Sequence, residues 1–173
     1  QNKGHAGVYI DGSSSKVTMD CVTISDTKGV GLQHAGGELT VTCEDADKYG
    51  MKVENAGTAG VYITKGTIKP EKVVITGSTP AIQTDGGTIE GRVKVVPEKY
   101  DTTQEIVTGK AGVETISPLV DIQQQENSTI TWFVNSEGKL AEAATKIGDI
   151  HYPSLEAAVV ASNASAASDE STL

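Results

Sequence analysis

Val17-Thr18-Met19-Asp20-Cys21, Leu39-Thr40-Val41-Thr42-Cys43 and Val61-Tyr62-Ile63-Thr64-Lys65 repeat one pattern at one interval. The first residues are 22 apart both times, and the two cysteines keep that step. Side chains alternate along a strand, so Val17 and Met19 share one face while Thr18 takes the other. Strands this short cannot bury an apolar face alone. A fixed step lets each stack on its equivalent one turn of chain later, about 4.8 Å away. Isolated apolar residues then become continuous columns. The pattern predicts an all-β fold, a parallel β-helix of roughly 22 residues per rung. The competing antiparallel β-sandwich calls for hairpin turns between equal strands and gives no reason for a fixed step.

The repeat extends outward from these echoes. Val8-Tyr9-Ile10 reads as a strand, and Gly7, Val8 and Ile10 recur 22 residues on as Gly29, Val30 and Leu32. Residues 34–37 read as a turn. Gly50-Met51-Lys52-Val53 opens a third round one residue early. In the third echo Lys65 takes the inward place of the cysteines. Strand-like segments continue at 73–75, 81–83, 87–90 and 92–96, so regular rungs span 7–96. Residues 97–134 are irregular: a loop over 97–112, short strands at 113–116 and 119–122, and a stronger strand over 129–134 holding Trp132 and Phe133. These segments make a β-helix domain of 1–134. Residues 135–173 form a second unit. A turn at 135–138 comes first, then a hairpin around Gly148-Asp149. A short helix follows, capped by Ser154 and starting at Leu155. Leu155, Ala158, Val159 and Ser162 line one of its faces.

Composition narrows the function. Of 173 residues, 37% are hydrophobic and only 4% aromatic, with 19 glycines, which suits many short Val/Ile/Thr strands better than a core of bulky side chains. The net charge of −9 opposes nucleic-acid and anionic-membrane binding. Arg92 is the only arginine, so no phosphate-gripping cluster can form. No apolar run has the length of a membrane span. The chain opens on Gln1 without a leader and reads as a mature or excised piece.

Lys146-Ile147-Gly148-Asp149-Ile150-His151-Tyr152-Pro153-Ser154-Leu155-Glu156-Ala157-Ala158-Val159 resembles a segment of modular surface proteins of Gram-positive bacteria, many from the gut. There a K-I-G-D-x-x-Y-x-S/T-L-x-x-A-V segment is a hairpin plus helix that caps the start of a right-handed, pectate-lyase-like β-helix. The resemblance covers fourteen residues. It implies right-handed coils and an extracellular or cell wall-associated location. It also implies that 135–173 is the capping segment of a following repeat, with Ser171-Thr172-Leu173 starting its first strand. Asp169-Glu170 stand there in place of the usual Gly-Asp. The motif says nothing about substrate; together with the repeat and the missing catalytic set it points to a noncatalytic structural or adhesive module, with glycan or a host surface protein as the candidate class of partner. Open coil ends add end-to-end self-association.

Cys21 and Cys43 fall on adjacent rungs, pointing inward, either as a disulfide or as stacked thiols. In-register parallel strands send their Cβ vectors side by side, which favours thiols. No histidine stands at ligand spacing for zinc. Tyr9 and Tyr62 point outward as candidate glycan contacts, on different strands of the coil and hence on different faces. Glu44-Asp45, with Asp47, is a candidate Ca²⁺ turn against the simpler reading of a solvated acidic loop; no other cofactor is expected. His5, His34 and His151 read as surface or turn residues. Asn127-Ser128-Thr129 matches a glycosylation acceptor, incidental in a bacterial protein.

The alternative function is a polysaccharide lyase or hydrolase. Thr84-Asp85-Gly86, Gly4-His5-Ala6-Gly7 and Arg92-Val93-Lys94 resemble fragments of polygalacturonase-type motifs. Their order differs and the aspartate pair is missing, so no catalytic residue is assigned. Arg92 is expected on a solvated face near Asp85 and Glu90.

Overall fold

The computed structural model describes residues 5–147, 150–152 and 154–160. Segments rich in Val, Ile and Thr, cut by Gly, Asn and Asp, fold into short strands that the chain lays down in tiers. The first tier is β1 (Val8–Ile10), β2 (Lys16–Asp20) and β3 (Val22–Ser25). The second is β4 (Val30–Thr42) and β5 (Met51–Glu54), and the third is β6 (Ala59–Lys69) and β7 (Val73–Thr76). The fourth is β8 (Ile82–Thr84), β9 (Thr88–Ile89) and β10 (Val93–Val96), and the fifth is β11 (Val107–Gly109) and β12 (Val120–Ile122). Two sheets result. One runs β1-β4-β6-β8-β11, with β2 also on β4 and β9 also on β6; the other runs β12-β10-β7-β5-β3. Every pairing in both is parallel. The fold is all-β with parallel sheets, and the sheets do not close on one another.

The step between tiers is not constant. Val17 pairs Leu39, a step of 22, as the echo predicts. Val8, however, pairs Leu32, a step of 24, and Leu32 pairs Val61, a step of 29. Val61 pairs Ile82 at 21, and Val73 pairs Val93 at 20. The long step has a local cause. Cys21 alone joins β2 to β3, whereas residues 43–50 join β4 to β5. That loop displaces the third echo: Val61 stacks on Leu32, not on Leu39, whose partner is Ile68. Lys65 lies opposite Ala35 across a bulge and is exposed, so it does not continue an inward cysteine column.

In register, four segments align: Gly7-Val8-Tyr9-Ile10, Gly31-Leu32-Gln33-His34, Gly60-Val61-Tyr62-Ile63 and Ala81-Ile82-Gln83-Thr84. The first and third are identical. The small residue that leads each one is required by packing. A Cβ on Gly31 would stand 2.4 Å from Val53 Cγ1, and one on Gly60 would stand 2.4 Å from Ile75 Cγ2. Glycine thus lets the first sheet settle onto the Val53 and Ile75 side chains of the second. Leu32, Leu39, Val53, Ile63 and Ile82 are fully buried in the core so formed. Each such side chain contributes roughly 1.5–3 kcal/mol relative to exposure. At the corner after β3 and β5, Asp26 and Asn55 hold positive φ of 53° each, a conformation these two residues tolerate. The Asn55 amide donates to Asp26 Oδ1 at 3.0 Å, tying the two tiers at their edge.

Stacking reaches past residue 96. β11 and β12 extend both sheets, although β11 falls where the sequence suggests a loop. Val113–Ile116 is a helix, α1, rather than a strand. Gly112 enters it in the left-handed region, Ser117 Oγ bonds back to Val113 O at 2.7 Å, and Pro118 follows in a 3₁₀ turn. Of 129–134 only β13 (Trp132–Val134) is strand, and it pairs antiparallel with β14 (Leu140–Glu142). That hairpin crosses the expected boundary at 134/135. Gln124 fixes it, accepting from Trp132 N at 2.7 Å and donating to Trp132 O at 2.9 Å.

β15 (Thr145–Ile147) and β16 (Ile150–Tyr152) form the expected hairpin. Its Gly148-Asp149 turn, Ser162 and Ser171-Thr172-Leu173 lie outside the described residues. Residues 155–160 are helical, and Ser154 Oγ accepts the Ala157 N–H at 3.1 Å as the cap requires. The helix buries Ala158 but leaves Leu155 69% and Val159 49% exposed, so its apolar face is only partly covered. Among the described residues no helix is long and apolar enough to cross a membrane.

Candidate functional site

The 29-residue step reassigns the tyrosines. Tyr9 pairs Gln33, Gln33 pairs Tyr62, and Tyr62 pairs Gln83. The four stand in one column on the outer face of the first sheet. The expectation of separate faces fails because Tyr62 belongs to the same strand position as Tyr9. Gln33 and Gln83 were not singled out from the sequence; the identical Gly-Val-Tyr-Ile at 7–10 and 60–63 is the signal that locates them. Tyr9 is 57% exposed, while Tyr62 is half-buried. The Tyr62 hydroxyl donates to Asp85 Oδ2 at 2.6 Å, and Asp85 Oδ1 also accepts the Lys110 N–H at 3.2 Å. This bond raises the Tyr62 phenol above its ordinary value and lowers the Asp85 carboxyl. It holds the Tyr62 ring in place.

Beside the column the first sheet bends. Gly37 and Gly66 take positive φ there, and a groove of about 310 Å³ opens between Asp11, Ser13, Ala35, Gly36, Gly37, Lys65 and Gly66. Farther along the outer face, Lys69 Nζ meets Glu38 Oε2 at 2.6 Å, and the Thr67 and Thr88 hydroxyls lie 3.1 Å apart. The surface therefore combines ring faces, amides, hydroxyls and one charge of each sign at the groove.

Cys21 and Cys43 form a disulfide with a Cα–Cα distance of 5.0 Å. Side-by-side thiols require both residues to sit in straight, in-register strands. Neither does. β2 ends at Asp20 and β4 at Thr42, and Cys21 occupies a corner with φ of 51°, outside in-register strand geometry. Cys21 is exposed rather than inward, while Cys43 is buried. Asp20 lies beside the sulfurs, but bonded sulfurs offer no thiolate to a metal.

In the acidic turn after Cys43, Asp45 is held by cations of the chain itself. Lys48 Nζ pairs Asp45 Oδ2 at 3.0 Å, and Lys72 Nζ reaches the carbonyl of Asp45 at 3.2 Å. Asp45 Oδ1 also accepts the Asp47 N–H. Asp45, the middle acid of the candidate turn, is therefore already bonded within the loop and to Lys72.

The fragments that resemble hydrolase motifs do not converge. Thr84 is buried, bonding Gly86 through its hydroxyl, and Asp85 is held by Tyr62. Arg92 precedes β10 on the other sheet. It pairs with Asp121: Nε donates to Oδ2 at 2.7 Å and Nη2 to Oδ1. This pair rims a cleft of about 370 Å³ walled by Pro118, Ile122, Trp132 and Phe133. Asp121 is the one carboxylate among its described lining residues, whereas glycoside hydrolysis takes two facing one bond.

His5 is exposed, as expected, and the side chain of His151 lies outside the described residues. His34 is not a turn residue. It sits within β4 and is fully buried. Comparison of the chain with protein-family models, curated proteins and solved structures gives no match.

Proposed function

We propose that this chain is a noncatalytic structural and adhesive module of a secreted or wall-attached bacterial surface protein, holding glycan on the outer face of its first sheet. In this reading the two sheets are faces of a right-handed parallel β-helix, the hand that parallel crossovers overwhelmingly take. A disulfide suits an oxidising compartment, and the 146–159 segment resembles those of such surface proteins. The observation that carries the binding role is the Tyr9–Gln33–Tyr62–Gln83 column. Its tyrosines are two strand spacings apart, about 9.6 Å. An extended oligosaccharide can place successive ring faces on them while its hydroxyls meet the amides between.

Immobilised plant, bacterial and mucosal oligosaccharides test this. A bound glycan should lose about tenfold in affinity, roughly 1.4 kcal/mol, when Tyr9 and Tyr62 are both changed to Ala. Tyr62→Phe keeps the ring and should stay within about twofold. An array that remains blank at high protein concentration removes the glycan role and leaves that of a spacer. The open edges of β1, β2 and β3, each paired on one side only among the described residues, add a second interaction: end-to-end association. Sedimentation across a wide concentration range reads it directly, and a monomer throughout ends that part of the reading.

A further inference from the structure

His34 occupies the inward column Ile10–His34–Ile63–Thr84, at the position where the first and third tiers carry Ile. It has no exposure, and neither ring nitrogen has a hydrogen-bond partner. The column neighbours on β1, β6 and β8 are uncharged. The charged residues beside the column lie elsewhere: Asp11 and Lys65 are exposed, Glu38 is paired with Lys69, and Asp85 with Tyr62. Across the core the second sheet presents Ile24, Met51, Val53, Val73 and Ile75, all buried. Among the described residues His34 is the only buried side chain that gains a charge near neutral pH. Gly66 approaches it closely, since a Cβ there would stand 2.8 Å from Nε2. The site has room for a neutral imidazole and offers an imidazolium no counter-charge, only the nearby Gly37 backbone.

We propose that His34 makes the centre of the first sheet acid-labile, so that mild acid loosens β4 and with it the Tyr9–Gln33–Tyr62–Gln83 face. As regulation of binding this rests on the glycan reading; as a property of the fold it does not. Burial is the main influence on the imidazole and holds it below its ordinary value of 6.5, only partly opposed by the nearby Gly37 backbone. The sign follows from linkage. Above about pH 6.5 both folded and unfolded chains keep His34 neutral, and it adds no pH dependence. Below it the unfolded chain binds a proton that the folded chain refuses. The folding constant then falls by up to tenfold per pH unit until the folded value is reached. Carboxylates contribute mainly below about pH 5, so the window is pH 7 to 5.5.

The experiment follows backbone amide protection factors by NMR from pH 7.5 to 5.5, without glycan, in the wild type and in His34→Ile. The substitution installs the residue that the repeat uses at this position. Wild-type protection on β4 should drop several-fold across the window while His34→Ile holds constant; the difference cancels His5 and His151. The His34 ring resonance should keep its neutral position below pH 6.5. Equal losses in both proteins, or a His34 ring that titrates at 6.5 with protection intact, would overturn the proposal. Because no ligand is present, failure here is distinct from failure of the glycan reading.

Discussion

Replacing Gly60 by Val is expected to cost about 3 kcal/mol or more, enough to unfold a large share of a marginally stable domain. The new Cβ would stand 2.4 Å from Ile75 Cγ2 and 2.6 Å from the Ala81 carbonyl oxygen. A side chain can turn aside, but the carbonyl belongs to the ladder that joins the third tier to the fourth: Val61 N donates to Ala81 O at 2.9 Å. Relief therefore means pushing the two strands apart or sliding the sheets. The fourth tier places Ala81 at this position, fully buried, so one methyl is tolerated there and not at Gly60. Urea denaturation of the variant checks the expectation. A midpoint within experimental error of the wild type would show that the two sheets do not meet as closely as described.

Reducing the Cys21–Cys43 disulfide is expected to lower stability by about 3 kcal/mol, the loop-closure value for residues separated by 22 positions. The bond staples the corner where β2 turns into β3 to the end of β4, just before the long 43–50 loop. Without it that loop can fray into the first tier, which already has an open edge. In urea the midpoint should fall by roughly 1–2 M, given the usual slope for a domain of this size. Cys21→Ser with Cys43→Ser should match the reduced protein. If reduction leaves the midpoint in place, the staple contributes nothing and the first tier is held by its strand pairing alone.

The all-β class was legible because alternation is a local property. Val17, Met19, Leu39 and Val41 announce strands, and their step of 22 is the true register between β2 and β4. Extending that step to Val61 failed for a physical reason. Val-Tyr-Ile-Thr and Leu-Thr-Val-Thr have the same apolar alternation, so either can sit on either, and alternation carries no information about loop length. The inserted loop at 43–50 decided the matter. The sequence held a better clue in Gly-Val-Tyr-Ile at 7–10 and 60–63, where the glycine marks close approach of the second sheet rather than a turn.

His34 reads as a turn residue for an equally local reason. Gln33-His34-Ala35-Gly36-Gly37 is polar and glycine-rich and looks like a turn, yet β4 runs through it. Alternation from Leu32 puts His34 inward. A histidine in the core is uncommon enough that composition argues against it. Nor could a sequence show that Cys21 stands at a corner with positive φ, which turns two side-by-side thiols into a bonded pair.

Tyr62 stacks beside Gln33, in tiers of unequal length. Interstrand backbone NOEs on uniformly labelled protein test this pairing most directly. The structure predicts contacts from β6 at Tyr62 to β4 at Gln33 and to β8 at Gln83. Contacts from Tyr62 to Thr40 instead, the partner that a constant step of 22 demands, would contradict it and dissolve the tyrosine–glutamine column.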